Sequence, residues 1–288
     1  MAATLLKSFE ALVRRIYITL TKHFNVGCVS YLNSKPLIEP LMGRDNITVH
    51  FAVPSALGAM IENNLVDAAL LPIVDYQLLP RELLLVPAGA IGCDGPTLTV
   101  RLYSHVPPEN ITQIHADADS HTSVLLAQVI LREFYHNAPA IVPTNMYDNS
   151  SSALPAQAVL LIGDKVINAA PPPGTYPWQL DLGEQWKLHT GLPFVFAMWM
   201  MPADRCDPTL ADILQKARAD GAHMTNDLVA RYAAERRWPA DLAFDYFTTY
   251  LKYVVTPACR TGIETFFDLL RKHNLIKIHR KCRYLELS

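Results

Sequence analysis

From Phe24 onward, short apolar runs alternate with polar turns and amphipathic stretches at a regular spacing. Phe24–Ser30 predicts a strand, followed by a polar loop over Tyr31–Lys35. A helix then opens at Pro36, since proline's missing N–H is no loss in a first helical turn. Ile47, Val49, Phe51 and Val53 alternate with Thr48, His50 and Ala52, the period of a half-buried strand. Pro54-Ser55 opens the next helix, and Asp67–Leu71 predicts a short buried strand ending at Pro72. A helix around Ile73–Leu79 and extended runs over Leu83–Ile91 and Thr97–Ser104 complete this unit. After the break at Pro107-Pro108 the alternation starts again. A strand near Ile114, a helix over Thr122–His136, a strand over Ala140–Pro143 and the apolar run Ala158–Ile162 follow in order. Asp67–Pro72 and Ala156–Asp164 hold similar places in their units without repeating in sequence. Pro193–Met201 predicts a long apolar strand returning to the first unit. Helices are predicted beyond it, over Asp207–Asp220, Thr225–Arg236, Pro239–Tyr250 and Thr261–His273.

Strand–helix–strand spacing implies parallel sheets and an α/β fold. Two such units joined by two crossings predict two lobes with a central crevice. The expected first lobe is 24–104 with 202–288, the second is 105–201, and 1–23 is an N-terminal extension. Ligands of open α/β sheets sit beyond the carboxyl ends of the strands, so the loops there are the ones to weigh.

Composition narrows the chemistry. Half of the 288 residues are hydrophobic and 18% are charged, enough apolar material for a large core. The net charge is −2, with no basic stripe interleaved with aromatics, which argues against a nucleic-acid partner. Five scattered cysteines with no CxxC pair support neither a disulfide framework nor a zinc site. No histidine pair at ligand spacing accompanies a carboxylate, so no metal is expected. Leu5, Leu6, Phe9, Leu12, Val13, Ile16 and Leu20 recur at helical spacing, but Arg14-Arg15 interrupts any secretory apolar stretch. No run is long enough to span a bilayer, so a cytoplasmic protein without stable membrane insertion is expected. A G-x-S-x-G elbow, a P-loop and a G-x-G-x-x-G turn are all missing, which leaves acyl transfer and nucleotide cofactors without support.

Four polar loops are candidates. Ser30-Tyr31-Leu32-Asn33-Ser34 precedes a helix, whose free N–H groups favour a carboxylate or phosphate; Asn33 or Ser34 is either a ligand group or a helix cap. Asp119-Ser120-His121-Thr122-Ser123 offers three hydroxyls at another helix start, with Ser120 the alternative cap and His121 an acid–base group or an exposed turn residue. Gly92–Thr99 holds an Asp-Gly-Pro turn that brings Thr97 and Thr99 to a strand start, with Arg101 on the face of Thr99. Leu161-Ile162-Gly163-Asp164 places a carboxylate at a strand end, for a ligand hydroxyl or a cap. These loops alone describe a two-lobed protein that holds a small anion.

Taken as an ordered set, the same segments resemble the chorismate dehydratase family of the futalosine-type menaquinone pathway. The resemblance begins at Val26–Leu37 and runs through Val53-Pro54-Ser55, Asp67–Pro72, Cys93–Pro96 and Thr122-Ser123-Val124. It continues through Leu161–Asp164, Asp181–Lys187 and Thr190–Ala197, covering about 25–201. It implies a type II periplasmic-binding-protein-like fold with the substrate between the lobes. The implied reaction removes water from chorismate to give 3-[(1-carboxyvinyl)oxy]benzoate, a hydro-lyase step without a cofactor. One of the substrate's own carboxylates then serves as base, and aromatisation drives the step. The family's important loop asparagine maps onto Asn33. Its crevice serine falls at Thr99, a departure that keeps the hydroxyl and adds a methyl group. Asn33 is thus the expected catalytic residue, with Ser30, Ser34, Thr97, Thr99, Thr122, Ser123 and Asp164 binding substrate. The alternative is a small-carboxylate-binding protein of the same fold that performs no chemistry.

Overall fold

In the computed structural model, which describes residues 22–117, 120–144 and 156–287, the strands form two five-stranded sheets. The first contains β1 (Phe24–Cys28), β2 (Ile47–Phe51), β3 (Ala68–Pro72), β4 (Leu83–Cys93) and β10 (Phe194–Pro202) in the order β2-β1-β3-β10-β4. The second contains β5 (Val100–Ser104), β6 (Gln113–Asp117), β7 (Ala140–Thr144), β8 (Ala158–Ile162) and β9 (Trp178–Asp181) in the order β7-β6-β8-β5-β9. Both sheets follow one plan. A parallel trio (β2-β1-β3 or β7-β6-β8) is flanked by a strand that runs against it. β3 and β8, the two apolar runs that matched by position in the sequence, hold equivalent places.

The antiparallel strand of each sheet comes from a segment that has just crossed over. β5 belongs to the second sheet and β10 to the first. The crossings therefore fall in 94–99 and 182–193, and the expected lobe boundaries at 104/105 and 201/202 move accordingly. Apolar alternation marks a strand but does not say which sheet it joins.

Between the strands lie α1 (Lys35–Ile38), α2 (Pro54–Glu62), α3 (Asp75–Leu78), α4 (His121–Phe134), α5 (Lys165–Asn168) and α6 (Leu182–Thr190). After β10 come α7 (Pro208–Ala222), α8 (Thr225–Tyr232), α9 (Ala240–Asp245) and α10 (Pro257–Lys272). Asn33 lies in a single 3-10 turn, Leu32–Ser34, that leads into α1. The helix expected over Pro239–Tyr250 ends at Asp245 and widens into a π turn over Tyr246–Tyr250. The helix expected from Thr261 starts a turn earlier, because Thr256 accepts from the Cys259 N–H (3.3 Å) and Pro257 fills the first helical position.

Two close approaches fix the elements that carry the crevice loops. A side chain at Gly221 of α7 would place its Cβ 1.8 Å from the Pro36 carbonyl oxygen, so only glycine lets α7 pack against α1. At Gly183, in the first turn of α6, a Cβ would meet Cys93 Sγ at 2.5 Å and Gly95 O at 2.7 Å. That turn is held by Asp181, which is 5% exposed. Its carboxylate accepts from Gly183 N (3.0 Å) and Glu184 N (3.2 Å), and also from Thr97 N (2.9 Å) and Leu98 N (2.8 Å) in the first crossing. One side chain thus caps α6 and holds Leu98 at φ +67°, a left-handed conformation unusual for leucine.

The apolar core is continuous from one lobe to the other, running from Val26 and Trp199 through Trp186 and Phe194 to Leu126 and Leu160. No helix among the described residues is long and apolar enough to cross a membrane. The expected amphipathic stretch over 1–23 lies almost wholly outside the described residues.

Candidate active site in the crevice

The loops after β1, β3 and β8, the start of α4 and the first crossing converge on one pocket between the lobes. This is the place where parallel α/β sheets put their ligands. It encloses about 730 Å³ of free space, its open mouth included. Val29, Pro54, Leu70, Ile91, Ile162 and Phe196 give it an apolar wall. The polar lining is almost entirely neutral: Asn33, Thr97, Thr99, Ser120, Thr122 and Ser123, with Tyr31, His121 and Tyr246.

Several atoms of these groups are buried with nothing to bond, although the Asn33 side chain also hydrogen-bonds Tyr246. Asn33 Oδ1, Ser120 Oγ and Thr122 Oγ1 have no hydrogen-bond partner, although Ser120 and Thr122 are only 5% and 4% exposed. Unsatisfied buried polar atoms are rare in folded proteins and cost about 1–3 kcal/mol each. Three of them facing one pocket mark where a polar ligand completes the structure. The Asn33 loop itself is firmly held. Ser34 Oγ donates to Val29 O (2.9 Å) and Tyr31 O (2.8 Å), and Tyr253 OH donates to the Asn33 carbonyl (3.0 Å). Across the crevice, Thr99 Oγ1 and Tyr246 OH share a hydrogen bond of 2.7 Å. Tyr246 is 1% exposed and stacked on Trp238; burial, the largest influence, drives its phenol far above the ordinary tyrosine range.

With this geometry in view, the similarities to known proteins take on meaning. Residues 24–272 match the family model described as menaquinone biosynthesis. The chain belongs to the menaquinone biosynthesis family. A relative from Thermus thermophilus, named chorismate dehydratase, is 26% identical over 261 residues, covering 85% of this chain and 94% of its own. Among solved structures, the periplasmic aliphatic sulphonate binding protein of Escherichia coli superposes with a TM-score of 0.62 at 14% identity, covering 93% of this chain and 95% of that one. A Candida albicans protein with the generic periplasmic binding protein fold gives 0.65 at 10% identity, over 93% and 99% of the two chains. These likenesses establish the two-lobed periplasmic-binding-protein fold expected from the sequence.

Within this family member, the crevice gathers Asn33, Thr97, Thr99, Thr122 and Ser123 from the expected set. Ser30, Ser34 and Asp164 do not line it. Ser30 is exposed and offers its carbonyl to Arg236 Nη2 (2.6 Å). Ser34 is spent on the loop's own carbonyls. Asp164 turns towards Arg236 Nη1 (3.3 Å) and Trp238 Nε1 (3.2 Å), and burial, outweighing Arg236, raises its carboxyl above the usual range. Neither Asn33, Ser34, Ser120 nor Asp164 caps the helix after it through its side chain. Arg101 also stays clear of the pocket lining and reaches Gln179 Oε1 at 3.4 Å. Asp94 pairs with Lys187 at 2.6 Å. Cys28 and Cys93 are buried, and desolvation pushes both thiols up to about 12, which makes them packing groups rather than nucleophiles.

Two features escaped sequence reasoning. Tyr246 sits in a run of helical appearance, and only the π turn swings its hydroxyl to Thr99. His121, weighed as an exposed turn residue, lines the pocket, and its Nδ1 lies 2.9 Å from Oδ1 of Asp75, a carboxylate 3% exposed. An aspartate in the apolar stretch Pro72-Ile73-Val74-Asp75 was the available signal, since a buried carboxylate needs a partner.

Proposed function

We propose that the protein is a chorismate dehydratase. In this reading chorismate lies between the lobes and loses its ring C3 proton and C4 hydroxyl as water, leaving 3-[(1-carboxyvinyl)oxy]benzoate. The C3–H electron pair forms the new ring double bond as the C4–O bond breaks, so the step is redox-neutral and needs no cofactor. The observation that carries the reading is the set of unpaired neutral groups, Asn33 Oδ1, Ser120 Oγ and Thr122 Oγ1, facing one crevice in a member of this family. The two hydroxyls can donate to a carboxylate that the substrate brings, and Asn33 Oδ1 can accept from its ring hydroxyl. One substrate carboxylate accepts from the hydroxyls at the start of α4, where the helix dipole favours an anion. Among the described residues the pocket lining holds no Asp, Glu or Lys; as the family resemblance implies, the proton at C3 goes to the second substrate carboxylate and from it to the departing hydroxide. Asn33 orients the ring or its departing hydroxyl, and Thr99, fixed by Tyr246, bonds a carboxylate. A cytoplasmic enzyme is part of the same reading.

The test is incubation of purified protein with chorismate, followed by mass spectrometry. The expected product is lighter by one water. Intact chorismate that nevertheless protects the protein against heat supports the binding-protein alternative instead. Intact chorismate without protection removes both readings.

A further inference from the structure

A dicarboxylate held only by neutral groups would lose the hydration of two charges without a counter-charge, a costly exchange in a low-dielectric crevice. Among the described residues the pocket lining contains no lysine or arginine. The nearby cations are engaged elsewhere. Lys35 Nζ lies over the rings of Tyr232 (4.3 Å) and Phe51 (5.4 Å), and Arg236 is held by Asp164 and the Ser30 carbonyl. One lining side chain can become a cation: His121, about a third exposed at the crevice and paired through Nδ1 with the buried Asp75.

We propose that His121, as an imidazolium held by Asp75, supplies the positive charge that recognises one carboxylate of the bound substrate beside Ser120 and Thr122. The proposal rests on the chorismate reading and adds to it a specificity-determining residue and its positioning partner. His121 is the first residue of α4, flanked by the two unpaired hydroxyls; the helix dipole there favours the substrate anion and opposes the imidazolium, and the Asp75 carboxylate offsets that opposition. Asp75 belongs to the first lobe and His121 to the second, so the pair spans the crevice. A buried carboxylate hydrogen-bonded to Nδ1 fixes the ring and favours its charged form. Asp75 itself is pushed above the usual carboxylate range by burial and drawn back in part by His121.

The other described residues lining the pocket carry no charge. Tyr31 and Tyr246 are the remaining titratable groups of the pocket, and the adjoining surface is Leu78, Val124, Leu125, Ile141 and Pro143. The side chains of Asp117 and Asp119 lie outside the described residues.

The sign of the pH dependence follows. Below the pKa of the pair the imidazolium is present and KM is low; as pH rises through it the charge is lost and KM climbs. Steady-state kinetics with chorismate from about pH 6 to about pH 8.5 cover the range in which a histidine changes charge most readily. The expected wild-type result is a rise in KM with a smaller change in kcat. His121→Gln should raise KM at low pH about tenfold, the size of one charge-assisted hydrogen bond, and flatten the profile. His121→Lys should keep KM low throughout, and Asp75→Asn should move the rise to lower pH. Thermal melts show whether each variant is folded. A flat wild-type KM, or a His121→Gln enzyme with wild-type KM, overturns the proposal while leaving dehydration standing. So does a loss confined to kcat, which would make His121 an acid–base catalyst. Titration calorimetry with chorismate separates the two levels: neither turnover nor binding removes the functional reading and this inference together.

Discussion

Asn33 and Thr122 show how much a single side chain decides here. The Asn33 loop is anchored by Ser34 Oγ and by Tyr253 on the Asn33 backbone carbonyl, and both anchors survive truncation of the amide. Asn33→Ala should therefore melt like wild type while kcat falls by roughly 10²–10³, the loss seen when one oriented polar group leaves a reacting centre. A variant that unfolds, or one with full activity, contradicts this role. Thr122 poses the opposite test. Its buried hydroxyl has no partner, so Thr122→Val should stabilise the unliganded protein by about 1 kcal/mol in denaturant titrations while raising KM several-fold. Loss of stability with unchanged KM would show that the hydroxyl serves the fold. At this scale the sequence was informative about polar residues at element starts, Asn33 before α1, Thr99 before β5 and Thr122 in the first turn of α4, all of which line the crevice. It misplaced Asp164 and Ser34, because a carboxylate or hydroxyl at a strand end looks the same whether it faces a ligand, an arginine from another helix or its own loop.

Single side chains also decide how the elements meet. Asp181 satisfies four N–H groups, two in α6 and two in the crossing that carries Thr97 and Thr99. Asp181→Ala should cost about 2–4 kcal/mol in chemical denaturation and impair activity, since it strands several buried donors and releases Leu98 from its left-handed conformation. Gly221→Ala should destabilise by about 1–3 kcal/mol, because the added methyl group overlaps the Pro36 carbonyl and forces α7 from α1. A fully stable Gly221→Ala variant would show that the two helices can separate without cost. Element type was legible almost throughout, since period-2 and helical spacing are local properties of the chain. The π turn at Tyr246–Tyr250 and the sheet membership of β5 and β10 were not, because tertiary pairing sets them.

Over the whole molecule, the equivalent turns after β3 and β8 each send a carboxylate to the opposite side of the crevice. Asp75 reaches His121, and Asp164 reaches Arg236 and Trp238. Together with Thr99–Tyr246 they bridge the lobes on both sides of the pocket. Burial holds the Asp164 carboxyl above its usual range even with Arg236 beside it. Removing Arg236 raises it further, so the protonated acid is favoured in the folded state. Arg236→Ala should thus lose about 1–3 kcal/mol near neutral pH and recover part of it as pH falls through the raised pKa. Equal losses at about pH 5 and about pH 7.5 would count against this bridge. The two-lobed plan was legible because strand spacing repeats along the chain; the bridges were not, because their partners lie far apart in sequence.

The most direct measurement compares wild type and Asn33→Ala with chorismate under identical conditions, following the loss of one water by mass spectrometry and folding by thermal melt. The account predicts dehydration by the wild type and, in a variant with the same melting temperature, turnover reduced at least about a hundredfold. Equal turnover by the two proteins, or chorismate left intact by both, would contradict it.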